Sequence, residues 1–283
     1  MSLSRWLLSV ACALVLIVSI SGVRPGHCYL LPAEQILEFV AKRTAKLYSL
    51  RLRVLAETPD PTRPGAVTIK EMVYYAARPD FLRQEMVQEA DGGAILVGSG
   101  RRLSVIDGHL LEEIPRHEEI FPILLFASSA KVLKTLLVQE QVDLNQVRLS
   151  RMGGQIAYVI GAPAREAEVP EFWCDKERFL PLRLIGRRAN QGVTDLVDIR
   201  FLSYQEVADS IWLPMKIEFY RRDRLSLRLV VQKPYYNERF PLELFDLDAF
   251  AARYPPLPLP AEPPEKPAEA LEEMRRYLEK KYE

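Results

Sequence analysis

The sequence predicts a mainly β fold with a few helices, organised on one long antiparallel sheet. Three observations predict it. Residues 172–186, FWCDKERFLPLRLIG, read as a β-hairpin: a strand ending at Trp173, a polar turn over 174–178, and a returning strand in which Leu180, Leu182 and Leu184 share one face. Short β-rich runs follow it at near-regular spacing. Before it, strands are interrupted by only two helical stretches. A sheet this long has to curl.

The chain has 283 residues, and its 38 Lys+Arg are matched by 38 Asp+Glu. That balance lacks the basic excess of a nucleic-acid binder. Arg5 precedes an uncharged run over residues 6–20, the pattern of a secretory leader and too short for a comfortable membrane span. Small residues allow cleavage after Ser21 or after Cys28; the second is preferred because a helix start follows at once. Loss of residues 1–28 removes Arg5 and Arg24, leaving 36 basic against 38 acidic residues, a charge of −2. The bulk of the chain is expected outside the cytoplasm, with a retained N-terminal anchor as the alternative. Cys28 could pair with Cys174 only if the first cleavage site is used, and no disulfide is expected.

Pro32-Ala33-Glu34 opens the first helix, with Glu34 favourably placed against its dipole. Ile36, Leu37, Val40, Thr44, Leu47 and Tyr48 form its apolar stripe. From Leu50 the period becomes two, and Leu50, Leu52 and Val54 alternate with Arg51 and Arg53. Three prolines within residues 58–65 end that strand. Residues 66–78 and 81–88 resume the extended pattern, and Asp91-Gly92-Gly93, Gly98-Ser99-Gly100 and Asp107-Gly108 punctuate a meander of short strands over 94–97, 103–106 and 109–112. Pro122 begins the second helical stretch, with Leu125, Val132, Leu133 and Leu136 on its apolar face. Strands return over 147–150, 156–160, 194–204, 212–221 and 225–232; in the last, Leu225, Leu227, Leu229 and Val231 face one way. Seven prolines within residues 254–267 make a semi-rigid linker. Residues 268–283 close the chain as a charged helix with a narrow apolar edge.

The order of these parts resembles the LolA/LolB-like periplasmic lipoprotein-carrier superfamily. The resemblance is carried by YYAARPDFLR (74–83), VGSGRRLSVID (97–107), Trp173-Cys174-Asp175 with FLPLRL (179–184), and residues 198–204 followed by Trp212-Leu213-Pro214. It spans about residues 31–247 and implies an incompletely closed antiparallel barrel, a half-barrel covered by helices, over residues 29–253. It also implies a carrier that holds acyl chains of lipoproteins or other lipids for transfer to the outer membrane, with an outer-membrane acceptor or an inner-membrane release complex as partner. In the family's carrier an early-strand arginine is tied to lid closure; Arg51 and Arg53 occupy that strand here, and no local motif selects either. The Pro-rich linker and last helix lie beyond the family's domain. A lipid anchor such as the outer-membrane acceptor's is not evident.

Alternation assigns a lining of Leu50, Leu52, Val54, Val73, Tyr75, Leu182, Leu184, Ile217, Phe219, Leu227 and Leu229, with Ile36, Val40, Leu125, Val132 and Leu136 from the helices. A one-residue slip would invert any strand's contribution. Trp173, Trp212, Phe219 and Tyr75 could line a cavity or fill a core. No enzyme is expected: His109 and His117 lack neighbouring metal-ligating residues, Gly98-Ser99-Gly100 suits a hairpin turn better than a phosphate loop, Asp175 and Glu177 fall in a turn expected to be solvated, and Cys174 reads as structural. No cofactor or metal is expected. The alternative function is an envelope scaffold or sensor on the same fold, binding a protein partner through the Pro-rich arm and final helix.

Overall fold

The computed structural model describes residues 30–258, apart from 61, 64, 88–92, 114, 117–118, 164–168 and 191–192. The expected leader, most of the Pro-rich linker and the final helix lie outside the described residues. Helix α1 (Ala33–Thr44) leads into β1 (Ser49–Pro59), β2 (Val67–Ala77), β3 (Phe81–Met86), β4 (Ile95–Gly98), β5 (Arg101–Ile106) and β6 (His109–Glu113). Helices α2 (Phe121–Phe126) and α3 (Ala130–Gln139) follow. The chain then adds β7 (Asp143–Met152), β8 (Gln155–Gly161), β9 (Glu171–Asp175), β10 (Pro181–Asn190), β11 (Val193–Ala208), β12 (Ile211–Arg221) and β13 (Arg224–Tyr236). A 3-10 turn (Leu242–Phe245) and α4 (Leu247–Ala251) complete the described elements.

All thirteen strands form one sheet in the order β6-β5-β4-β3-β2-β1-β13-β12-β11-β10-β9-β8-β7. It consists of two antiparallel meanders joined where β1 pairs with β13. Because β6 and β7 are opposite edges, the barrel stays open, as the resemblance implied. The turns follow local chemistry: Ser99-Gly100 and Asp107-Gly108 both take positive φ between strands paired by two-residue loops.

Helices α1, α2 and α3 cover the inner face. Ile36, Leu37 and Val40 of α1 are at most 1 % exposed, and Phe121 packs edge-on against both Tyr74 and Phe219. The Arg78 guanidinium, at the β2–β3 turn, ties α1 to α2: Nε donates to the Phe126 carbonyl at 2.8 Å, and Nη2 to those of Ala45 and Leu47 at 2.9 and 2.7 Å. The Thr44 hydroxyl donates to the Ala127 carbonyl at 3.0 Å. Gly186 allows α3 to end against the sheet, since a Cβ there would collide with the buried Glu140 side chain.

Three expectations change. The second helical stretch is two helices, because the chain is extended at Ala127 and Ser129 starts α3 by accepting a bond from the Val132 amide. Tyr48 leaves the α1 stripe: the helix stops at Thr44, and the exposed phenol instead donates to the Asn237 carbonyl. Asp175 is buried, not solvated, and its carboxylate accepts the Glu177 and Arg178 amides to shape the turn.

Candidate functional site

The strand-residue assignments of the expected lining divide into three groups. Leu50, Leu52, Val54, Leu184, Ile217, Phe219 and Leu229 face inward and are 0–2 % exposed. They fill a core beneath the helices, together with Ile36, Val40, Leu125 and Leu136. Val73, Tyr75 and Leu182 are on the outer face. The β1–β2 register pairs Tyr75 with Arg51 and Val73 with Arg53, and it is Met72, Tyr74 and Ala76 that point inward. Both alternating sets of β2 are apolar, so periodicity alone could not choose between them. Leu182 is turned outward by a bulge between Pro181 and Arg183, and joins Ala157, Val159 and Trp173 in an outer cluster. On α3 the buried stripe is Leu133, Leu136 and Leu137, which leaves Val132 half-buried. Of the expected set, Leu227 borders a space open on the inner face.

That space is a cavity of about 1010 Å³ at the part of the inner face flanked by β1, β2 and β13. Ala56, Met72, Tyr74, Ile95 and Leu227 supply an apolar wall. Asp60, Thr62 and Arg63 of the β1–β2 loop and Thr68 and Lys70 of β2 line it as well, and Arg102, Arg116 and Glu119 supply a charged wall. A bulge of β13 at Ser226 shapes one side: Phe219 pairs with Leu227 but Tyr220 with Leu225, and the Ser226 hydroxyl donates to the Phe219 carbonyl. The same bulge removes Leu225 from the face expected for it.

Arg102 and Glu119 were missed by sequence reasoning. Arg102 is 3 % exposed; its Nε donates to Glu119 at 2.6 Å, and its Nη1 to Ser104 at 3.1 Å and to Glu113. The Arg116 amide completes Glu119 at 2.8 Å. Burial nevertheless pushes the Glu119 carboxyl above the usual carboxylate range. On β5 the apolar residues at alternate positions are Leu103 and Val105. They face outward because Phe250, Phe245, Leu247 and Tyr254 cover that side, leaving Arg102 to line the cavity with Ser104 beside it.

The outer face carries a row of ion pairs across successive strands. Glu171 accepts from Arg148 at 2.6 Å and from the Trp173 indole at 2.8 Å. Asp198 accepts from both Arg183 and Arg200, and Glu218 from Arg228, which also reaches Glu57. Arg51 and Arg53 belong to this face too, paired with Glu238 and Glu71, so neither enters the inner space. Cys174 is free and fully buried, and burial pushes its thiol up, the opposite of a reactive cysteine. Among the described residues no three His, Cys, Asp or Glu gather as a metal site, and no helix is long and apolar enough to cross a membrane.

Neither a protein-family model nor a curated protein matches the chain. Solved structures do. A domain from Vibrio parahaemolyticus described as outer membrane lipoprotein-sorting superimposes with a TM-score of 0.50 at 14% identity, covering 77% of this chain and 99% of that one. A LolA superfamily protein from Nitrosomonas europaea gives 0.51 at 13% identity, again over 77% and 99%. At such identities the likeness is one of fold, and it agrees with the open antiparallel sheet: the chain has the LolA-like fold.

Proposed function

We propose that the protein is an exported, non-enzymatic lipid carrier that takes acyl chains into the cavity beside Leu227. The supporting observation is the cavity itself, at the upper end of the roughly 300–1,000 Å³ range of ligand sites. The inner face beneath the helices is tightly packed, so the open part beside Met72, Tyr74, Ile95 and Leu227 is where a chain fits. Each buried methylene contributes about 0.8 kcal/mol, so an apolar wall can retain an acyl chain without a covalent bond. Export through residues 1–28, and hand-over of a lipoprotein or other lipid to an outer-membrane acceptor, belong to this reading.

Native mass spectrometry with lipid extraction, on protein purified from its own envelope without detergent, tests it. Co-purifying lipid or acylated protein near one-to-one occupancy is expected, and Leu227→Arg should abolish it while the protein stays folded. A mass that remains that of the bare chain after lipoprotein and phospholipid are offered rejects the carrier.

A further inference from the structure

Charge is unevenly distributed around the cavity. Four cations line it, Arg63, Lys70, Arg102 and Arg116, against two carboxylates, Asp60 and Glu119. Glu113 stands behind them as a third acid, accepting from Arg102 and Arg116. These pairs are of two kinds. Arg102 is a closed unit, buried and satisfied by Glu119, Glu113 and Ser104. Arg63 and Arg116 are not: their side chains are 80% and 49% exposed. Exposed guanidinium–carboxylate pairs contribute little. A phosphodiester presents two oxygens to a guanidinium with the same single charge as a carboxylate, so it can replace Asp60 or Glu113 on these exposed arginines at small cost. Lys70 is exposed on the inner side of β2, in line with Met72 and Tyr74 of the apolar wall, so a cation and the apolar wall share one strand face. A quaternary ammonium group would need open aromatic faces. Tyr74, the aromatic residue among those lining the cavity, is only 5% exposed and already packed on Phe121.

We infer that the cavity takes an anionic amphiphile, its acyl part against Leu227, Met72 and Tyr74 and its phosphate or carboxylate headgroup held by Arg63, Lys70 and Arg116. This rests on the lipid-carrier reading and narrows it to a headgroup class.

Calorimetric titration of the whole protein with short-chain phosphatidylglycerol and phosphatidylcholine of identical chains, each below its micellar concentration, tests the headgroup separately from the chain. The anionic lipid should bind about tenfold tighter or more, the increment of one charge-assisted contact. The preference should shrink as salt rises. In the Arg63→Glu/Lys70→Glu variant the ratio of the two affinities should fall to about one, with an unchanged melting temperature because both side chains are exposed. Equal affinities in the unaltered protein overturn the headgroup inference and leave the carrier standing. Binding of neither lipid by folded protein removes both. Inorganic phosphate competing as effectively as phosphatidylglycerol assigns the rim to a free anion and overturns the amphiphile.

Discussion

Arg102 Nε donates to Glu119 Oε1 at 2.6 Å, with the two side chains 4% and 7% exposed. Removing one member of such a buried pair strands the other, at a typical cost of roughly 3–5 kcal/mol. Arg102→Leu should therefore destabilise the protein by about 3 kcal/mol at pH 7 in urea unfolding. Arg102→Leu/Glu119→Leu should recover most of that loss. An additive loss in the double variant would mean the pair is not coupled.

Glu119 also predicts a pH dependence. Burial raises its carboxyl in the folded protein although Arg102, Arg116 and Glu113 face it, the first two opposing the shift. The folded chain thus binds this proton more tightly than the unfolded chain. The resulting stabilisation is full below the unfolded carboxyl pKa and is lost as pH rises through the higher folded value. Glu119→Gln keeps an oxygen for one of the Arg102 and Arg116 donors and does not ionise across this range. Its stability relative to the unaltered protein should rise with pH across that window, and a flat difference would remove Glu119 as the source.

Arg78 holds three carbonyls at the ends of α1 and α2, and a hydrogen bond to a charged group typically contributes a net ~1.5–3 kcal/mol. Arg78→Ala should cost about 2 kcal/mol overall. Amide exchange should quicken in α1 and α2 more than in β11 and β12. Uniform acceleration across the sheet would contradict a local clamp.

Leu227 and Leu229 are neighbours on one face of β13 with different tasks. Leu229 is 0% exposed, so Leu229→Ala should cost roughly 2–5 kcal/mol. Leu227 borders the cavity and is half-buried, so Leu227→Ala should cost about 1 kcal/mol while weakening lipid retention. Equal stability losses would show that the wall at Leu227 is packed shut.

On the outer face, Asp198 accepts from two guanidiniums, with bonds of 2.7–2.9 Å. Asp198→Asn should cost about 1–2 kcal/mol, more than Arg200→Ala, because it weakens both partners at once. Added salt should narrow the difference. A larger loss from Arg200→Ala would place the main contribution in the stacking of Arg200 on Tyr220, whose centroid lies 4.1 Å from the guanidinium carbon.

Local chemistry made much of the fold legible. The alternation of Leu50, Leu52 and Val54 placed the first strand and its inward side. Asp107-Gly108 marked a hairpin because these residues tolerate the positive φ a two-residue turn requires. The Ile36–Val40 stripe placed a covering helix. Of the expected lining, Leu227 proved to border the cavity, while the helices pack so closely over the other inward residues that they form a core.

Where tertiary structure decided the outcome, it did so through contacts between distant residues. Alternation separates a strand's two faces but does not say which will be covered. On β5 the apolar residues Leu103 and Val105 turned outward because Phe250 and Tyr254, from the far end of the chain, pack over them. Arg102 was thereby left inside, where Glu113 and Glu119 make its burial affordable. Bulges did the rest at Leu182 and Leu225. Strands, turns and helix stripes are short-range properties of the chain, whereas the cavity and its charged wall depend on which surfaces the folded chain brings together.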